Sequence, residues 1–254
     1  MSARGAAVVT RLIVPGEELR PGVLIISKSA AHHAWVARVK PGEHIELLDL
    51  RGAVGAAVLV RWEKGACVVE VHDIVHERGE PPGPLVLALG VLHTEAFAWA
   101  VEKATELGAT RIQPVLCARV QRRDHGARGD RWRRLAAAAV AQCGRSRPPE
   151  VVEPRPLAEV VSAAVGARWL ADFEGEAEET SELDVAAGAT VLVGPEGGFT
   201  ADEVHYARAA GFARLWLGPR TLRAETAALA ALTLAQHRLG WLSVAGGATQ
   251  NAAR

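Results

Sequence analysis

Apolar and polar positions follow one period over the first third of the chain and another over the rest. Short runs rich in β-branched and aliphatic residues cover Val23 to Ser27, His44 to Leu50, Gly55 to Trp62 and Cys67 to Ile74, broken at Pro41-Gly42, Arg51-Gly52 and Lys64-Gly65. Strands this short, separated by turns that contain glycine, predict a small antiparallel barrel over residues 1–75. The stretch HERGEPPGP, His76 to Pro84, is polar and rich in proline and glycine, and reads as a linker over 76–84.

From residue 85 to 254 the pattern is that of alternating strands and helices, an α/β domain. An apolar run at Leu85 to Leu92 precedes a helical segment around Glu95 to Leu107, and a strand at Arg111 to Leu116 precedes a helix around Asp130 to Cys143. In that helix Trp132, Leu135, Ala136, Ala139, Val140 and Cys143 fall at helical spacing, with Arg131 and Arg134 off the apolar stripe. A shorter helix at Leu157 to Val165 leads to a strand at Arg168 to Asp172. Thr190 to Val193 is a buried-strand pattern, and Thr200-Ala201-Asp202-Glu203 is a capping box that opens a helix to about Ala210. Arg214 to Leu217 is a further strand, Glu225 to Leu239 an alanine- and leucine-rich helix ending at Gly240, and the residues around Gly246-Gly247 a frayed tail.

Composition narrows the function classes. A chain of 254 residues can bury a large core without covalent staples. Its three cysteines, Cys67, Cys117 and Cys143, are odd in number and lack the spacing of a zinc site, which predicts a reducing compartment and no metal. No segment has the roughly 18 uncharged apolar residues of a membrane span, so a soluble cytoplasmic protein with no membrane partner is expected. The formal net charge is +0, yet the charges are segregated: Arg119 to Arg147 holds nine arginines against two aspartates, and Asp172 to Asp184 holds seven acids without a lysine or arginine. A basic region of this kind either attracts phosphates or is a solvated face, and charge alone does not choose.

Two strands end in Gly-Pro, at VLVGPEGGFT (Val191 to Thr200) and LWLGPRTLRAETAAL (Leu215 to Leu229). Ligands of open α/β sheets bind beyond the carboxyl ends of strands, so the two loops are candidates for one pocket. Gly194-Pro195-Glu196-Gly197-Gly198 lacks the lysine and hydroxyl of a P-loop and the spacing of a dinucleotide fold. Glu196 would repel a phosphate, so a ligand with an adenosine but no phosphate, or with a positive charge, suits the loop better. In the second loop Glu225 and Thr226 either cap the helix, with Arg223 paired to Glu225, or face a ligand.

GPEGGFT-x-x-E (Gly194 to Glu203) followed by LGPRTLRAETA (Leu217 to Ala227) closely resembles the RsmE-type ribosomal RNA small subunit methyltransferases, the 16S ribosomal RNA uracil-1498 N3-methyltransferases of the SPOUT superfamily. KATELG at Lys103 to Gly108, the strand ending in proline at Arg111 to Pro114, and AQCGRSRPPE at Ala141 to Glu150 match as well, and the likeness extends weakly to Arg11 to Pro15, His32, Arg38, Gly42 and Asp49. The resemblance implies a PUA-like β-barrel that recognises RNA, joined to an α/β methyltransferase domain with a trefoil knot. It implies a homodimer that binds S-adenosylmethionine and methylates N3 of one uridine in the 16S ribosomal RNA of the small subunit. By matching positions, Leu192, Val193, Gly194, Pro195, Glu196, Gly197, Leu217, Gly218, Leu222 and Thr226 would form the cofactor site.

Arg223, Glu225 and Thr226 are the catalytic candidates, Arg223 as the group that stabilises a uracil anion. Arg11, His32, Arg38, Arg119, Arg145 and Arg147 are the candidate RNA contacts. Glu196 could hold the sulfonium, orient its loop or reach a partner subunit, while Lys103 could pair with Glu102 or Glu106. Trp35 and Ala96 depart from the resemblance at places where members often carry a basic residue, although Trp35 can still stack on a base. A SPOUT enzyme acting on another RNA site, or a non-catalytic RNA-binding assembly factor, are the alternatives.

Overall fold

The computed structural model describes residues 9–16, 18–120, 129–171 and 184–242. Two compact units divide the chain, one of Met1–Glu80 with Ala137–Pro148 and the other of Pro81–Ala136 with Pro149–Arg254.

In the first unit, β1 (Thr10–Ile13), β2 (Gly22–Ser27), β3 (His44–Leu48), β4 (Ala53–Glu63) and β5 (Ala66–His76) form a sheet of order β1-β3-β4-β5-β2. β4 and β5 make a long hairpin across Lys64-Gly65, and alternation along the strands sends Leu47, Leu59 and Val69 into the core with Leu12 and Ile45. The purely antiparallel arrangement expected for this region is corrected at one edge, where β1 runs parallel to β3. At four residues, β1 is too short to carry a pattern of its own. A helix, α1 (Lys28–Val36), also lies where no helix is predicted: its buried face is Ala30, Ala31 and Ala34, a stripe too small to stand out from the surrounding polar residues.

The end of this unit is fastened by ions. Glu46 accepts from Arg11 Nε at 2.8 Å and from Arg78 Nη1 at 2.6 Å. Glu80 pairs with Arg145 at 2.6 Å, with only 7% and 4% of the two side chains exposed, and its other oxygen accepts from Ser146 N at 3.0 Å and Arg147 N at 3.1 Å. Arg147 pairs with Glu77. Residues 77–80 are thus held by ion pairs within the first unit.

The second unit is one parallel sheet of β6 (Leu85–Gly90), β7 (Arg111–Leu116), β8 (Glu150–Val151), β9 (Arg155–Pro156), β10 (Ala167–Ala171), β11 (Ala189–Val193) and β12 (Ala213–Leu215), in the order β12-β10-β11-β6-β7-β8 with β9 also on β7. Its helices are α2 (Thr94–Glu106), α4 (Leu157–Ser162), α5 (Ala201–Ala209) and α6 (Ala224–Arg238); α3 (Gly129–Cys143) crosses the boundary between the units at Ala136. Parallel strands covered on both faces read as continuous apolar runs, and every residue of β11 is buried. Leu87, Val191 and Trp169 join α2 and α6 in one core, and Leu170, Leu192 and Ala88 join α4 and α5 in another. The alanines of α6, at 224, 227, 228, 231 and 235, are spent inside the first of these cores, where small side chains let the helix lie close to the sheet.

Removing one partner of a buried ion pair strands the other, so Glu80→Ala is expected to cost about 3–5 kcal/mol in urea unfolding; a loss below about 1 kcal/mol would show that the pair is worth no more than a surface bridge. Hydrogen bonds from Arg78 first, and Arg11 after it, hold the Glu46 carboxyl below its usual range against the opposing effect of burial. Its stabilisation is therefore present above the unfolded-state value, near 4.3, and is lost as pH falls through the lower folded value. Unfolding free energies taken between about pH 6 and 3 should fall more steeply for the wild type than for Glu46→Gln.

Candidate functional site

Strand register brings the carboxyl ends of the sheet into one row. Pro114 pairs with Leu89, Leu89 with Val193, Val193 with Ala171 and Ala171 with Leu215. The two Gly-Pro loops leave this row at Val193 and just after Leu215, two strand spacings or about 10 Å apart. The winding changes direction at the same place: the chain lays β6, β7 and β8 side by side in one direction, and places β11 between β6 and β10 on the other side. A crevice at such a switch point is where open sheets bind ligands.

The first loop is clamped from three sides. A Cβ at Gly90 would lie 2.6 Å from Pro195 Cδ, so only glycine lets the end of β6 meet this loop. Gly198 N donates to Pro195 O at 2.8 Å, closing a turn. Glu196 accepts from His93 N at 2.8 Å, which puts a carboxylate at the N-terminus of α2, where the helix dipole favours it. Arg119 Nη1 donates to Gly197 O at 2.9 Å. The capping box forms as its spacing predicts: Glu203 N donates to Thr200 Oγ1 at 3.2 Å and Thr200 N to Glu203 Oε2 at 2.8 Å. The second oxygen of Glu203 accepts from Ala118 N at 2.7 Å, tying the cap of α5 to the exit of β7.

The second loop is held by its side chains and left open along its backbone. Leu217 and Leu222 pack against the core, while the backbone groups from Leu217 to Leu222 form no hydrogen bond among the described residues. Gly218 has φ +98°, which a side chain would resist. Arg223 is the N-cap of α6 but makes no capping bond, and none of the side chains of Arg223, Glu225 and Thr226 makes a hydrogen bond among the described residues. Glu225 sits in the first turn of α6, where the helix dipole favours a carboxylate. Among the described residues no group of three His, Cys, Asp or Glu is placed to hold a metal.

Residues 79–236 match the RNA methyltransferase domain family. Ribosomal RNA small subunit methyltransferase E of Synechocystis is 30% identical over 87% of this chain and 75% of its own length, and that of Mesomycoplasma hyopneumoniae 30% identical over 85% and 95%. The chain belongs to this family. Its fold is likewise similar to ribosomal RNA small subunit methyltransferase E from Neisseria gonorrhoeae bound to S-adenosylmethionine, with TM-score 0.80, 30% identity and coverage of 91% of this chain and 98% of that one. A Legionella pneumophila protein solved with the same cofactor gives TM-score 0.79 at 28% identity, over 91% and 98%.

In this member of the methyltransferase E family, the two conspicuous loops lie at one end of one sheet. Leu192 and Val193 bury their side chains in opposite cores, so at the strand end only their backbone can meet a ligand. Of the arginines expected on RNA, Arg11 is committed to Glu46 and to the carbonyls of Ala141 and Gln142, and Arg145 is buried against Glu80. Arg147 is engaged with Glu77 and Arg119 with the Gly197 carbonyl, whereas His32 and Arg38 are exposed on and just after α1. Lys103 bonds both Glu102 and Glu106 at 2.7 Å. Arg122, Arg123 and Arg128, the acidic run from Asp172 to Leu183, and the tail around Gly246-Gly247 lie outside the described residues.

The ties from Glu196 to His93 N, Arg119 to Gly197 and Glu203 to Ala118 escape sequence reasoning because each joins segments about 80–100 residues apart with no shared motif. Only the local half of the Glu203 contact is written in the spacing.

Cys117, next to Ala118 at the exit of β7, is pushed up to about 12 by burial and then by the Glu203 charge. Almost no thiolate exists there at neutral pH, so Cys117 is not a nucleophile. Alkylation of the folded protein at about pH 8 should leave Cys117 unmodified while the half-buried Cys143 reacts, as read by peptide mass spectrometry; modification of Cys117 first would contradict this.

Proposed function

We propose that the chain is an S-adenosylmethionine-dependent methyltransferase of 16S ribosomal RNA, acting on N3 of one uridine in the small ribosomal subunit. The observation that carries this reading is the pairing of a clamped loop with an open one at the same end of the sheet. Adenine presents donors and acceptors on its edge, and the unused backbone groups between Leu217 and Leu222 match them. The lack of a lysine in either loop and the carboxylate of Glu196 suit a sulfonium cofactor without phosphates. The cofactor bound to the Neisseria gonorrhoeae and Legionella pneumophila proteins supports the same assignment.

Leu192, Val193, Gly194, Pro195, Glu196 and Gly197 form one wall in this proposal, Leu217, Gly218 and Leu222 the other, and Thr226 closes the site from α6. Glu196 positions its wall through His93. When bound, S-adenosylmethionine supplies an electrophilic methyl group. The protein holds the uracil nitrogen in line with it, and the guanidinium of Arg223, which makes no hydrogen bond among the described residues, stabilises the anion left when the imide proton is lost. Glu225 is the nearest carboxylate in sequence that makes no ion pair among the described residues, which makes it the candidate for accepting that proton.

The finer architecture belongs to the same proposal. The insertion of β11 between β10 and β6 supports a trefoil-knotted path of the C-terminal segment, and the five-stranded first unit supports a PUA-like module. A cytoplasmic homodimer completes the reading, with RNA contacts drawn from His32, Arg38 and the exposed part of the arginine block.

Titration calorimetry should detect S-adenosylmethionine binding to the full chain and its loss in Gly218→Val, where a branched side chain meets a backbone at φ +98°. Binding unaffected by that change would place the cofactor elsewhere. Arg223→Ala should lower kcat on ribosomal subunits by about 10²–10³-fold with cofactor affinity nearly unchanged; full turnover would remove Arg223 from the mechanism.

A further inference from the structure

The first unit carries a depression of about 450 Å³ lined by Trp35, Val36, Arg38, Val39 and Trp62, far in sequence from the methyl-transfer loops. Trp35 is 65% exposed, unusual for the largest apolar side chain. Its ring meets that of Trp62 edge-on, with centroids 5.3 Å apart and planes at 88°. Trp62 is fixed in turn by donation from Nε1 to Val39 O at 3.3 Å. Two perpendicular rings, one anchored, make a corner against which a flat aromatic group can lie.

The charge along α1 and its exit is one-sided. From Lys28 to Lys40 the chain carries Lys28, His32, His33, Arg38 and Lys40 and no aspartate or glutamate. Arg38 is also in an unusual conformation. α1 ends with Arg38 N donating to Trp35 O at 2.9 Å and Val39 N to Ala34 O at 3.1 Å, a closing pattern that puts Arg38 at φ +57°, where glycine is the favoured residue. Lys28 at the other end of α1 has φ +56°. Residues with left-handed backbone cluster at functional sites, and two of the four such non-glycine residues among the described ones are cations flanking this short helix.

We propose that this corner is a stacking site for an unpaired nucleobase of RNA, Trp35 supplying the stacking face and Arg38 a phosphate contact on the same strand. Nearby, Glu43 accepts from the Lys40 backbone N–H and Glu63 is paired with Arg61, so cations stay in excess. Flat apolar rings beside surplus cations fit a single-stranded polyanion, since base stacking and phosphate attraction are the two terms of such binding. A second copy of the chain would bring like charges together at this patch. The site rests on the reading that RNA is the substrate, and it adds a place on the first unit where an unstacked base is gripped.

The test uses the full chain, with a fluorescently labelled oligouridylate of about ten nucleotides and an abasic strand of the same length as probes. Trp35→Ala should weaken oligouridylate binding roughly 5- to 150-fold and leave the abasic strand unaffected, while Trp35→Phe keeps most of the affinity. Arg38→Gly should weaken both probes, reduce the slope of log affinity against log salt by about 0.7, and keep or raise the melting temperature, because glycine relieves the left-handed strain. Thermal melts confirm that each variant is folded.

Equal affinities for wild type and Trp35→Ala, equal losses on both probes, no oligouridylate binding at all, or self-association of the wild type that Trp35→Ala abolishes would each overturn the proposal. Neither probe needs cofactor or methyl transfer. Failure here therefore leaves the catalytic reading standing, and a chain that stacks the base yet transfers no methyl group fails only that reading.

Discussion

The close approach of backbone to backbone at the carboxyl ends of β6 and β11 is the constraint on which the rest of the site depends. Gly90 has no room for a side chain beneath Pro195, so the Gly194 to Thr200 loop is pressed onto the end of its neighbouring strand. Once there, its position is over-determined. Glu196 reaches the start of α2, Arg119 takes the Gly197 carbonyl, and Glu203 joins the cap of α5 to Ala118. These contacts draw on β6, β7 and β11 together, so the loop inherits the rigidity of three buried parallel strands. A site that works by positioning needs such a wall, because misplacement of a reacting group by about 1 Å can cost 10²-fold in rate.

Electrostatics in this protein is local bookkeeping more than surface display. Much of the dense arginine block is consumed within its own unit: Arg131 by Glu95, Arg133 by Asp130 and Glu153, Arg145 by Glu80 and Arg147 by Glu77. A run of like charges in sequence therefore overstates the positive field available to a polyanion. The shorter stretch from Lys28 to Lys40 has fewer cations but no acid within it, and the nearby Glu43 carboxylate is engaged by the Lys40 backbone N–H.

Much of the second unit was legible beforehand, for physical reasons. Parallel strands buried on both faces produce unmistakable apolar runs, and β7 matches its expected bounds of Arg111 to Leu116 residue for residue. The Thr200–Glu203 box announces α5 because capping is a contact between residues three apart. The first unit was harder. β1 is four residues long and its parallel pairing with β3 depends on a partner more than thirty residues away, while α1 hides its buried face in three alanines. In the site, both Gly-Pro loops were visible as motifs, but what holds them was not. An arginine such as Arg119 looks the same in sequence whether it meets a phosphate or a carbonyl, and burial of Arg145 against Glu80 leaves no local mark.

The proposed methyl transfer to a ribosomal uridine is tested most directly by supplying radiolabelled S-adenosylmethionine to small ribosomal subunits that lack the modification and analysing the nucleosides by mass spectrometry. The expected result is label in N3-methyluridine at a single position of the 16S ribosomal RNA. Label in a different nucleoside, or cofactor binding with no transfer to any ribosomal substrate, would contradict it.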